Sequence, residues 1–239
     1  MQIKAVLFDM FDTIMMIKKN HDVYSPSLMK MYQFLNMNGV EAPFNEFQKA
    51  YIKARDELYA KDDGKLEEPH FNVRVAETLK NLGHDYNDSS PVVTAATGMF
   101  CNEFMHFVYP DKDAKSVLQI LHEKYKLGVV SNFAIPECVD ELLKTHSLDA
   151  LFDVVVVSAA INMRKPSPEI FKSTLKTLGV SASDTIFVGD TIDADIEGAK
   201  AVGMKAVYIE RRCEQEIGKV HPDKTIKSLS ELPMALQEL

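Results

Sequence analysis

From about residue 109 onward, four short runs rich in valine and isoleucine alternate with stretches of helical period. The runs are Lys126–Ser131 (KLGVVS), Phe152–Ser158 (FDVVVVS), Thr185–Asp190 (TIFVGD) and Lys205–Glu210 (KAVYIE). Each is apolar on both faces, so each must be covered on both faces. When such strands are joined through helices, the solution is a parallel sheet sandwiched between helical layers. Between them Val139, Leu142, Leu143 and His146 recur at helical spacing, as do Phe171, Leu175 and Leu178. Pro168 suits a first helical turn and Gly179 a C-terminal cap. The run Ala5–Phe8 (AVLF) supplies a further strand. The expectation is an α/β fold with a Rossmann-like, doubly wound parallel sheet.

The stretch 15–108 has a different texture. Leu28, Met31, Tyr32 and Leu35 form one helical stripe. Phe44, Phe47, Tyr51, Ala54 and Leu58 form a second, and Val93, Ala96, Phe100, Phe104 and Phe107 a third. Breakers such as NGVEAP, DDG, EEP and NDSSP separate them. An all-helical block over 15–108, inserted after the first strand of a core formed by 1–14 and 109–239, is therefore expected. With 239 residues, 46% of them hydrophobic, the chain can bury such a core and an insertion. A net charge of -8 without a basic stripe speaks against nucleic acid and anionic membranes, both of which require phosphate neutralisation. Cys101, Cys138 and Cys213 are dispersed and odd in number, which suits a reducing compartment rather than a disulfide framework. No run has the length of a membrane span and the first residues read as a strand rather than a signal peptide, so the expected location is cytoplasmic. Oligomeric state is not encoded in any of these features.

Polar residues gather where the strands end. Asp9 follows AVLF, Ser131 and Asn132 follow LGVV, and Gly189 and Asp190 follow TIFV. Lys165 stands in the loop NMRKPSPE, and Asp195 comes five residues after Asp190, at the opening of the next helix. Singly, each has an ordinary explanation as a turn residue, a cap or a solvated charge, and Asp193 serves as well for an N-cap as for a ligand. Jointly they matter more, because an open parallel sheet binds ligands outside the carboxyl ends of its strands. Three converging acids repel one another unless a divalent cation compensates them. A hydroxyl and a lysine beside them suit an oxyanion such as phosphate. An acid held against that phosphate can act as a nucleophile.

In this order FDMFDT, GVVSN, RKPSPEIF and FVGDTIDADIEGAKAVGM resemble the haloacid dehalogenase superfamily of hydrolases. The branch is the one with a helical cap inserted after the first core strand. The resemblance implies a Mg2+-dependent phosphatase acting on a small phosphorylated metabolite. Asp9 would be the nucleophile that becomes an aspartyl phosphate. Ser131 would bond the phosphoryl oxygens, Asn132 would hold that loop, and Lys165 would neutralise charge between nucleophile and phosphoryl group. Asp9, Asp190 and the backbone carbonyl of Phe11 would ligate Mg2+, with Asp195 supporting the metal or its waters.

One position departs from the pattern. Most phosphatases of the family carry an aspartate as general acid and base where this chain has Phe11. Any residue supplies the carbonyl, but phenylalanine transfers no proton, and general acid help is worth about 10²–10⁴-fold. The expected outcomes are a bias toward activated leaving groups or an acid recruited from Asp12 or His21. Metal-free 2-haloacid dehalogenases carry an aromatic residue at the Phe11 position, yet they lack the Gly-Asp pair found here at 189–190. A phosphonate hydrolase would need a Schiff-base lysine, for which Lys18 and Lys19 are the nearby residues. A catalytically degenerate binding module would have no use for Asp9, Ser131, Lys165, Asp190 and Asp195 together. In the helical block, Tyr24, Arg55, Arg74 and His21 are specificity candidates by chemistry alone, over a site enclosed enough to favour small metabolites.

Overall fold

The protein, described here by a computed structural model over residues 3–19, 22–62, 64–211 and 220–239, builds its sheet around the first apolar run. In chain order the elements begin with β1 (Ala5–Phe8), β2 (Met15–Ile17), α1 (Tyr24–Met37), α2 (Phe44–Asp62), α3 (Phe71–Asn81), α4 (Pro91–Met105) and β3 (Val108–Pro110). Next come α5 (Ala114–His122), β4 (Lys126–Ser131), α6 (Pro136–Thr145), β5 (Val154–Val157), α7 (Ser158–Ile161) and α8 (Pro168–Leu178). The chain closes with β6 (Thr185–Gly189), α9 (Gly198–Ala201), β7 (Lys205–Ile209), β8 (Lys224–Ile226) and α10 (Leu232–Ala235).

Six strands form one sheet in the order β5-β4-β1-β6-β7-β8, every pair parallel. The strand order reverses at β1, so the loops after β1, β4 and β6 diverge there and leave a crevice. Period-two alternation sends Val6 and Phe8 to one face and Ala5 and Leu7 to the other. The first face packs on α5, α6 and α10 through residues such as Leu118, Leu142 and Leu232, and the second on α8 and α9 through Phe171, Leu175 and Ala199. Coverage on both sides is why the strands read as continuous apolar runs. The fold is α/β, doubly wound, as the alternation predicts.

The local signals for α8 are realised. Ser167 caps it by accepting from the Glu169 N–H, Pro168 occupies the first turn, and Gly179 ends it at φ 66°, in the left-handed region glycine tolerates.

Three strands escape the sequence reading. The edge strand β8 has three residues, of which Ile226 alone is buried, so no apolar run marks it. At the borders of the stretch read as all-helical, β2 pairs antiparallel with β3, Met15 opposite Pro110 and Ile17 opposite Val108. That corrects the helical reading at both ends of 15–108. Three residues are too few to display a period, and the partners lie far apart in sequence. Through this ribbon the chain leaves β1 for α1–α4 and returns to the sheet. None of the helices among the described residues is long and apolar enough to cross a membrane.

Phe171 is fully buried, edge-on to Phe187 at 5.3 Å between ring centroids, and tight against Gly198. Phe171→Ala should therefore cost about 3–5 kcal/mol, read as a lowered urea midpoint at unchanged slope.

Candidate active site

Each strand that borders the switch in order delivers one polar group. Asp9 leaves β1 with its backbone N–H donated to Val188 O at 2.9 Å, which fixes it beside the end of β6. Asp190 follows β6 directly. Asp195 returns to the same place through a π-helical turn, Ile192–Glu197, rather than through the ordinary helix start the sequence suggests. Such turns concentrate at functional sites because one extra residue re-aims a side chain. Gly189 makes the approach possible: a Cβ there would stand 2.4 Å from Asp195 Oδ2.

Lys165 reaches these acids from the loop before α8. Its ammonium lies 2.6 Å from Asp9 Oδ1 and 2.7 Å from Asp195 Oδ1, over the Phe187 ring, and the residue is 3% exposed. Burial alone would favour the neutral amine, but Asp195 and Asp9 outweigh it and hold the lysine protonated. On Asp195 burial acts with the charges of Asp9 and Asp190 and against Lys165, and its carboxyl is pushed up to about 7. The second oxygen of Asp195 accepts from the Thr191 N–H at 3.0 Å, and Thr191 Oγ1 donates to Asp190 Oδ1 at 3.2 Å.

The loop after β4 completes the group. Ser131 is fully buried, and its hydroxyl has no hydrogen-bond partner among the described residues. Asn132 clamps the Lys165 backbone from both sides, donating to Lys165 O at 2.9 Å and accepting from Lys165 N at 2.7 Å. Ser158, absent from the sequence reading, accepts from the Phe133 N–H at 2.9 Å and so braces the same loop. A serine opening a four-residue helix carries no sequence signal for that role.

One oxygen from each of Asp9, Asp190 and Asp195 lies within 4.8 Å of the others. Three buried carboxylates against one ammonium leave uncompensated negative charge, and hard oxygen donors fit a hard divalent cation. The residues present thus suit the metal that the resemblance implies.

Phe11 has a packing role. Its ring sits 4.8 Å from Phe133 and 5.8 Å from Phe104, centroid to centroid, joining the loop after β1 to the loop after β4 and to α4. Asp12 adopts φ 57°, donates its N–H to Met15 O and accepts from Ile17 N at 3.4 Å, closing the turn into β2. Aspartate tolerates that left-handed conformation better than most residues. Asp193 is exposed and caps the Ala194 N–H. Lys18 and Lys19 are exposed and donate to the carbonyls of His106 and Arg211. Arg55 pairs with Asp56 at the surface, and His21 lies outside the described residues. Tyr24 and Arg74, by contrast, line a cavity of about 220 Å³ whose wall includes Asn132 and Phe133. Tyr59 and Glu68 line it too and were not singled out from sequence.

The sequence profile of the haloacid dehalogenase-like hydrolases matches residues 49–209. The chain belongs to that family. Among relatives of this hydrolase, the glyceraldehyde 3-phosphate phosphatase of Pyrococcus furiosus is 27% identical over 241 residues, covering 100% of this chain and 93% of the relative. The phosphoserine phosphatase of Thermus thermophilus is 27% identical over 128 residues, 54% of this chain and 51% of the relative. A haloacid dehalogenase-family phosphatase from Thermococcus onnurineus superposes with a TM-score of 0.67 at 28% identity, over 98% of both chains. The 2-haloacid dehalogenase of Pseudomonas syringae superposes with a TM-score of 0.74 at 23% identity, over 99% of both chains, a likeness of fold alone.

Gly189→Ala should displace Asp195 and weaken divalent-cation binding by about tenfold or more, as removal of a supporting contact does. The check is the rise in melting temperature across a Mg2+ titration, which should shift to higher concentration in the variant.

Proposed function

We propose that this hydrolase is a Mg2+-dependent phosphatase that turns over a small phosphate ester through an aspartyl phosphate on Asp9. The observation that carries the reading is the buried contact of Lys165 with Asp9 and Asp195, next to the unpartnered Ser131 hydroxyl. A lysine fixed against a strand-end carboxylate prepares that carboxylate to face a phosphoryl group, because its charge is already neutralised where two anions must meet. The phosphatase names of relatives spanning the whole chain support the same chemistry.

In the first half-reaction Asp9 attacks phosphorus and the bond to the leaving oxygen breaks. Lys165 offsets the charge of the incoming phosphoryl group, and the Ser131 hydroxyl donates to one of its oxygens. In the second, water attacks phosphorus, the acyl phosphate bond breaks, and the Asp9 carboxylate is regenerated. Asp9, Asp190 and the Phe11 carbonyl would hold Mg2+, with Asp195 supporting its waters. The ion supplies neutralisation of phosphoryl charge. Residues 15–108 act as a cap over this chemistry and limit it to small substrates. With Phe11 in place of an acid, departure of the leaving group depends on its own stability as an anion.

Phosphate release from p-nitrophenyl phosphate should require Mg2+, stop in EDTA, and fall by about 10³-fold or more in Asp9→Asn. Retained turnover in that variant would overturn the nucleophile assignment, and release of halide from 2-chloropropionate without metal would favour dehalogenase chemistry.

Across aryl and alkyl phosphates, kcat/KM should fall steeply as leaving-group pKa rises. Phe11→Asp should flatten that slope, recovering part of the roughly 10²–10⁴-fold that general acid catalysis provides. An equal slope in both proteins would show that another residue already supplies the proton.

A further inference from the structure

Arg74 on α3 has neutral partners where an arginine normally has an anionic one. Its guanidinium donates to the hydroxyls of Tyr51 at 3.1 Å and Tyr59 at 3.4 Å. It stacks within 5.4–5.8 Å of the rings of Phe71, Tyr59 and Tyr51. Among the described residues it forms no ion pair, and its Nε is buried with no hydrogen-bond partner. Stacking and two tyrosine hydroxyls orient the planar group but leave donors unused, and a partly desolvated cation without a counter-ion costs stability.

The same side chain lines the 220 Å³ cavity whose wall includes Asn132 and Phe133. Asn132 is the residue that clamps the Lys165 backbone, so the cavity shares a wall with the loop that braces Lys165. The acidic group on its wall is Glu68, raised by burial against the attraction of Arg164 and Arg74. Arg164, which does not line the cavity, is engaged with Asp62 at 3.0 Å, and Arg74 is the basic residue on the cavity wall. The volume lies below the roughly 300–1,000 Å³ of drug-sized pockets and suits a chain of a few carbons.

Resting on the phosphatase reading above, we propose that Arg74 is a specificity residue that binds a carboxylate on the substrate's far end, so that the preferred substrates are short phosphorylated carboxylic acids. A planar, pre-oriented guanidinium matches a carboxylate with two parallel bonds. An aldehyde or an alcohol at the same carbon offers no charge to it.

The test uses three compounds that differ at that carbon alone: 3-phosphoglycerate, glyceraldehyde 3-phosphate and glycerol 3-phosphate. Each competes against Mg2+-dependent hydrolysis of p-nitrophenyl phosphate, and its inhibition constant is measured whether or not it is turned over. In the native protein the acid should bind at least tenfold more tightly than the alcohol, with the aldehyde close to the alcohol. In Arg74→Gln the acid-to-alcohol ratio should collapse toward one, and Arg74→Lys should restore part of it. Ratios taken within one protein are unaffected by any change in reporter turnover, and melting temperatures establish that each variant is folded. Equal binding of acid and alcohol to the native protein, or an unchanged ratio in Arg74→Gln, would overturn the proposal while leaving the phosphatase reading intact. A native protein without Mg2+-dependent release, or with release that survives Asp9→Asn, marks failure of the phosphatase reading instead. In that case direct calorimetric binding of the same three compounds decides the role of Arg74.

Discussion

One buried ammonium holds the strand-end loops of this hydrolase in register. Lys165 stands between Asp9 and Asp195, within 2.7 Å of each, and is almost wholly buried. An ion in such a place is tolerable only when its partners are fixed, since loss of either leaves an uncompensated charge worth several kcal/mol. The surrounding structure can be read as the fixing. Asn132 pins the lysine's backbone, Ser158 pins the loop that carries Asn132, and the absence of a side chain at Gly189 lets Asp195 close in. The π-helical turn then sets the approach of Asp195. These devices are local, yet they come from three separate strand ends, those of β4, β5 and β6, and the sheet brings them together with Asp9 by reversing its order at β1.

Phe11 shows what the chain exchanges for that order. On the mechanism proposed above, the position two residues past Asp9 could carry an acid or a hydrophobic contact, not both. Here the ring packs on Phe104 and Phe133, themselves stacked at 5.3 Å, and ties α4 to the rim of the sheet. An aspartate would put a charge into that aromatic contact and lose its packing. If the proposed mechanism holds, proton chemistry and attachment of the helices compete for one side chain, and Phe11 serves attachment.

Much of this was legible in the sequence, for reasons that also explain what was not. Continuous apolar runs identify buried strands, and the terminal Asp9, Ser131 and Asp190 mark the rim because polarity appears there abruptly. Lys165 and Asp195 were legible as residues, while their mutual contact was not, because it joins two loops that no pattern links. The strands β2, β3 and β8 are three residues each and rest on pairing rather than on periodicity. The cage around Arg74 was hidden for a related reason. Tyr51, Tyr59 and Phe71 read as stripes of helical packing, which they are, and only the packing of α2 against α3 brings their rings around one guanidinium.

That hidden cage separates two tasks the sequence runs together. On the reading proposed above, the charges at the sheet edge would neutralise a phosphoryl group of any ester that reached them, whereas Arg74 would meet the other end of the molecule. Its neutral partners are what such a role demands. A carboxylate within the protein would satisfy the guanidinium permanently and would compete with a ligand, while tyrosine hydroxyls and ring faces hold it in position and leave its charge available. The cost falls on the free protein, whose partly buried guanidinium forms no ion pair among the described residues, and is relieved when an anion arrives. Selectivity among small phosphate esters then depends on a charge at one carbon, the kind of difference a polar pocket discriminates far better than a difference of size.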